Sequence, residues 1–130
     1  MEVTLDTNAY SDWVRKGFWN EEISHATGII VPAIVLGELE HGFRNGNRYV
    51  KNRKMLESFL AQPMVAVCEV NETVARIYGD LCRFLQRAGT PIPSNDIWIG
   101  ACACHRGSTL LTADRHFAKL PQVNVVWPVG

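Results

Sequence analysis

No apolar run in this chain reaches the length a bilayer demands. The two longest, Ile29 to Leu36 and Ile97 to Cys104, fall far short of the roughly 20 residues a spanning helix needs. The N-terminus enters a strand-like run directly, where a targeting leader would place a basic segment and then an apolar one. A cytoplasmic protein with no membrane partner is therefore expected. Net charge is missing too: 13 Lys+Arg balance 13 Asp+Glu, so no global basic field marks extensive non-specific nucleic-acid binding. Cysteines are few, and the C-x-C of Cys102 and Cys104 with distant Cys68 and Cys82 fits no common zinc pattern. Reduced core thiols are the expectation. Repeats, low-complexity segments and linkers are also lacking, so 130 residues read as a single domain over 1–130, a size that buries about two-thirds of its surface.

What is present alternates between two periods. Glu2 to Asp6 is alternating and β-branched, a first strand ending in Asp6, after which Thr7 and Asn8 open a helix to about Val14. Ile29 to Val31 is a buried strand, with Pro32 at the first position of a helix running to Phe43. Asn45-Gly46-Asn47 stops that helix, and a basic one follows from about Arg48 to Leu60. Met64 to Val70 is the third strand. Asn71 caps a helix whose Val74, Ile77, Tyr78, Leu81 and Leu85 share one face before Gly89 and Pro91 end it. Ser94 or Asn95 is expected to cap the next helix, to about Arg106; Thr109 to Leu111 is a strand, Asp114 to Leu120 a short helix, and Val123 to Trp127 a last strand. Strands separated by helices predict a three-layer α/β domain with a mainly parallel sheet of four or five strands.

That architecture gives four scattered acids a common address. Ligands of open parallel sheets bind beyond the carboxyl ends of the strands, and Asp6 and Asp114 both follow strand-like runs. Asp96 opens a helix that carries no charge from Ile97 to Cys104, and Glu38 lies in the helix after the second strand. Each acid alone has a structural explanation: Asp6 as a helix cap, Asp96 at the positive end of a helix dipole, Thr112-x-Asp114 as a capping turn, Glu38 as a solvated side chain. Helical spacing does not separate Glu38 from Glu40, since each lies about 100° from the centre of the Val35, Leu36, Leu39, Phe43 stripe.

Taken in order, the motifs Leu5-Asp6-Thr7-Asn8, Glu38-Leu39-x-x-Gly42, Pro93-x-Asn95-Asp96-Ile97-Trp98-Ile99-Gly100-Ala101 and Leu111-Thr112-x-Asp114-Arg115-x-Phe117 resemble those of the PIN-domain ribonucleases. The similarity is greatest to the VapC-type toxins of toxin–antitoxin pairs. The resemblance implies that Asp6, Glu38, Asp96 and Asp114 bind Mg²⁺ or Mn²⁺, with Thr112 adding a hydroxyl and Thr7 and Asn8 supporting the first acid. It selects Glu38 over Glu40. It implies hydrolysis of RNA, tRNA or ribosomal RNA, by metal-activated water, leaving a 5′ phosphate and a 3′ hydroxyl. It also implies a cognate antitoxin and a homodimer. Some family members carry a further acid after the last motif, whereas none follows Asp114 here; one firmly held ion, with a second arriving with substrate, is expected. Gly100 stands where the family commonly has Ala, a change expected to be tolerated.

Arg44, Arg48, Lys51, Arg53 and Lys54 place five basic residues in eleven positions, either a solvated helix face or a ridge that follows phosphates. Arg44, Arg48 and Lys51 are the substrate-binding candidates from it; Arg115 and His116 are others near the last motif, His116 also as a proton donor. The aromatic segment Tyr10 to Trp19 reads as a satellite core, or as an apolar groove for a partner.

Three other readings compete. A PIN nuclease of RNA processing without an antitoxin is separated from a toxin by the adjacent reading frame. A phosphatase or receiver-like domain would use Asp6 as phosphoryl acceptor, but the phosphatase pattern expects a second Asp where this chain has Asn8. A silent binding module is disfavoured because mutually repelling acids have no reason to persist together without a cation.

Overall fold

Val3, Thr4 and Leu5 are wholly buried in β1 (Glu2–Leu5), the middle strand of the sheet. A computed structural model describes residues 1–129. β2 (Gly28–Pro32) pairs with one side of β1 and β4 (Thr109–Leu111) with the other, while β3 (Val65–Cys68) and β5 (Val125–Val126) form the edges. The order is β3-β2-β1-β4-β5 and every pair is parallel. The chain leaves β1 toward β3 and later returns on the other side, so strand order reverses between β1 and β4. Connections after strands that flank such a reversal depart in opposite directions, and a crevice opens at the carboxyl ends. Register pairs Leu5 with Leu111, which sets the next residues, Asp6 and Thr112, at the mouth of that crevice.

The helices are α1 (Thr7–Lys16), α2 (Asn20–His25), α3 (Ala33–Asn45), α4 (Tyr49–Leu60), α5 (Glu72–Ala88) and α6 (Ser94–Arg106), with a 3-10 helix at Arg115–Lys119. α5 follows its sequence pattern closely: Asn71 accepts from Val74 N–H at 2.9 Å at one end. At the other, Gly89 takes φ +69°, a left-handed conformation a side chain resists, and lets Thr90 N–H reach Leu85 C=O at 3.1 Å. α6 is apolar on nearly every side because it lies at the centre, packed against α3, α5, β2 and β4 with Ile97, Ile99, Ala101, Cys102 and Ala103 buried. A Cβ on Gly100 would meet Val123 at 3.2 Å and Leu120 at 3.4 Å, so neighbours already fill the space an Ala methyl would take. All four cysteines are free thiols, and burial, then the neighbouring Cys68, pushes the Cys102 thiol well above the usual range.

Several local expectations change. α1 extends past Val14 to Lys16 because Gly17, at φ +69°, supplies its C-cap. α2 has no counterpart in the pattern reading: its N-cap is Trp19, a residue in the left-handed region at φ 71°, where sequence signals favour Gly or Asn. Pro32 ends β2 and sits at the N-cap of α3 in extended conformation, one residue before the helix. Pro93, not Ser94 or Asn95, occupies the N-cap of α6, with no side-chain cap hydrogen bond. β3 and β5 are shorter than the apolar runs around them, and the last helix is 3-10. The aromatic segment is mainly core: Tyr10 and Trp13 pack on Phe59 with ring centroids 5.4 and 5.1 Å apart, Trp19 is buried, and Phe18 is exposed.

Candidate functional site

Asp6 leaves β1 in extended conformation and caps α1, its Oδ1 accepting Ala9 N–H at 2.8 Å. Its Oδ2 accepts the Thr112 hydroxyl from the end of β4. Asp6 is 5 % exposed and Thr112 wholly buried. Thr112 Oγ1 also accepts Asp114 N–H at 2.9 Å, and Asp114 Oδ1 in turn accepts His116 N–H at 2.9 Å, capping the 3-10 helix. Both capping explanations for these acids are thus realised in the fold. Each carboxylate oxygen has two lone pairs, so these hydrogen bonds do not exhaust the acceptor capacity of Asp6 or Asp114.

Glu38 and Glu40 part company in space. Glu38 Oε1 accepts the Thr7 hydroxyl at 2.5 Å and Oε2 accepts Asn95 Nδ2 at 3.4 Å, which holds it between the starts of α1 and α6. Glu40 turns toward Arg44 at 3.3 Å and Arg53 at 3.8 Å. Asp96, in the first turn of α6, faces His116 Nδ1 at 2.8 Å; the same nitrogen lies 3.1 Å from Asp114 Oδ1.

The four carboxylates share one electrostatic neighbourhood. Burial pushes Asp6 up to about 6, against the lowering effect of its Thr112 and Ala9 hydrogen bonds, and the charges of Asp114 and Asp96 push the same way. Asp96 is also raised, first by burial and then by Asp114 and Glu38, with His116 opposing. Among the described residues no Lys or Arg forms an ion pair with Asp6, Glu38, Asp96 or Asp114. A cluster of this kind, rich in oxygen donors and short of cations, suits a hard divalent ion.

The remaining sequence candidates scatter more. Asn8 is exposed on α1. Arg44 pairs with Glu40 and lies 5.1 Å over the Tyr49 ring. Arg48 and Lys51 are exposed, and Arg48 lines a cleft of about 430 Å³ that reaches Thr7 and Glu38 between walls including Tyr10, Phe43 and Met55. Arg115 sits 4.9 Å over the Trp127 ring. His116, a substrate-binding candidate, turns Nδ1 onto the acids. Asn95 is the neighbour that sequence reading missed: its local pattern is that of a cap, and its reach to Glu38 is visible only once α3 and α6 are packed together.

Comparison with known proteins identifies the family and the fold. The PIN-domain family model matches residues 3–123, and the chain belongs to the PIN-domain family. It is 28 % identical over 96 residues, 74 % of each chain, to Ribonuclease VapC4 of Mycobacterium tuberculosis. It superposes on VapBC-5, a member of the VapBC family of toxin–antitoxin systems from Mycobacterium tuberculosis, with TM-score 0.75, 25 % identity, and 97 % of this chain and 98 % of that one covered. The fold is also that of VapBC2 from Rickettsia felis bound to a DNA fragment from their promoter: TM-score 0.84, 23 % identity, covering 99 % of this chain and all of that one.

Proposed function

We propose that this chain is the metal-dependent endoribonuclease toxin of a VapBC-type toxin–antitoxin pair, hydrolysing a phosphodiester in tRNA or ribosomal RNA. The observation that carries the reading is that Asp96 and Asp114 offer ligand atoms within 4.8 Å of each other at the strand ends, with Asp6 tied to Asp114 through Thr112 and Glu38 tied to α6 through Asn95, and no Lys or Arg paired to these acids among the described residues. Family membership and the ribonuclease relative support the reaction class.

Asp6, Glu38, Asp96 and Asp114 would hold Mg²⁺ or Mn²⁺, one ion firmly and a second with substrate. Bound there, the ion supplies Lewis acidity toward a phosphate oxygen and makes nearby water more acidic. The protein's own part is positional. Thr112 fixes Asp6 and Asp114 together, while Thr7 and Asn95 fix Glu38. Both threonine hydroxyls donate to carboxylates and so orient them; with water as the nucleophile, displacement of the 3′ oxygen would leave a 5′ phosphate and a 3′ hydroxyl. Asn8, exposed in the first turn of α1 beside Asp6, would be open to arriving RNA. Arg48 and Lys51 would contact flanking phosphates, Arg44 and Arg115 less so because they are already engaged. An antitoxin segment would lie in the cleft that opens from Thr7 and Glu38, closing the site to RNA.

Mapping of cellular RNA 5′ ends after induced expression tests this. New ends at one or a few positions in tRNA or ribosomal RNA, absent with Asp96→Asn, are expected; an unchanged RNA profile with well-expressed protein overturns it.

A further inference from the structure

His116 is the one histidine among the described residues that joins a cluster of potential metal ligands: it, Asp96 and Asp114 each offer an atom, all within 4.8 Å of one another. Three features fix it there. Phe117, buried to 1 % exposure, anchors the 3-10 helix; Asp114 Oδ1 accepts the His116 N–H at 2.9 Å; and the ring presents Nδ1 to Asp96 Oδ2 at 2.8 Å and to Asp114 Oδ1 at 3.1 Å. From Arg115 to Gly130 the chain has no acid, so His116 is the donor this end of the chain brings to the crevice. Six ligands around an ion at about 2.1 Å place neighbouring donors roughly 3.0 Å apart. The two nitrogen–oxygen separations straddle that value, so an ion can replace the proton these atoms now share, releasing it to solvent, with little movement of either side chain.

We propose that Nδ1 of His116 is a direct ligand of the ion held by Asp96 and Asp114, and that this nitrogen biases the site from magnesium toward manganese and the later first-row divalent ions. The proposal rests on the metal-site reading above and deepens it. Magnesium takes oxygen donors and keeps its waters, whereas imidazole nitrogen favours transition ions in the order manganese, iron, cobalt. A ring in place of a carboxylate also leaves the site with one fewer negative charge, which weakens the hold on magnesium most.

Pulsed electron paramagnetic resonance of the full chain loaded with Mn²⁺ tests the ligand directly, with histidine at natural abundance and labelled with ¹⁵N. Nitrogen coupling that changes with the label is expected in the wild type and is expected to vanish in His116→Asp and His116→Gln. Calorimetric titration is expected to show a magnesium-to-manganese Kd ratio about tenfold higher in the wild type than in His116→Asp. Bound Mn²⁺ without nitrogen coupling in the wild type, or coupling that survives both substitutions, overturns the ligand while leaving the carboxylate site standing. No Mn²⁺ binding at all overturns both.

Discussion

Thr112 donates its buried hydroxyl to Asp6 across the β1/β4 junction and accepts the Asp114 N–H at 2.9 Å with the same oxygen. One side chain thus ties together two acids more than a hundred positions apart in sequence. The tie depends on the Leu5–Leu111 register, because a slip of one residue would turn Thr112 to the opposite face of the sheet.

Thr112→Val keeps the shape and removes the hydroxyl. It leaves a buried Asp6 oxygen and the Asp114 N–H without their partner, and a loss of about 1–3 kcal/mol in stability is expected. Urea unfolding checks this. Thr7→Val, at a half-buried position, is expected to cost less while weakening Mn²⁺ binding through Glu38.

Asp6 gives the metal-free protein a distinct pH dependence. Its folded pKa of about 6 lies above the ordinary aspartate value of 3.8, so the folded state holds an extra proton between these values. The associated stabilisation is complete below about 3.8 and is lost as pH rises through about 6, reaching about 3 kcal/mol in all. In chelator, Asp6→Asn is therefore expected to gain stability relative to wild type as pH rises from about 4 to about 7, the difference levelling off above that. Denaturant unfolding across that range measures it; a difference independent of pH would show that Asp6 is not strained by burial.

Glu38 and Glu40 provide an internal comparison. Glu38→Gln is expected to lower RNA cleavage at least about a hundredfold and to weaken divalent-ion binding, since a charge is removed from the acid cluster. Glu40→Gln releases Arg44 and Arg53, both at the surface, and is expected to leave cleavage within about twofold.

The basic ridge separates by pairing. Arg53 lies 3.3 Å from Glu57 and 3.8 Å from Glu40, and Arg44 is paired as well, whereas no ion pair among the described residues engages Arg48 or Lys51. Arg48→Gln with Lys51→Gln is expected to raise KM for RNA several-fold and to reduce its salt slope by about 0.7 for each phosphate the double variant no longer neutralises. Arg44→Gln is expected to change it less. Steady-state cleavage at several salt concentrations distinguishes the two.

The parallel α/β layering and the strand-end positions of Asp6 and Asp114 were legible in the sequence because period-2 runs separated by helical runs constrain a parallel sheet closely. The different surroundings of Glu38 and Glu40 were not legible from spacing. Both glutamates flank the apolar stripe symmetrically, and what separates them is tertiary: Thr7 and Asn95 on one side, Arg44 and Arg53 on the other. Helix α2 escaped because its N-cap, Trp19, uses a backbone conformation that residue type does not announce. The inward turn of the His116 ring depends on how α6 packs against the 3-10 helix, a relation between segments that no local pattern encodes.

The most direct measurement is cleavage of purified total tRNA and ribosomal RNA by the wild type, Asp6→Asn and Asp96→Asn, each with Mn²⁺ or Mg²⁺ and again with chelator. Discrete fragments bearing 5′ phosphates are expected from the wild type with metal only, and from neither variant. Equal cleavage by all three proteins, or cleavage that persists in chelator, would contradict a metal site built on these acids.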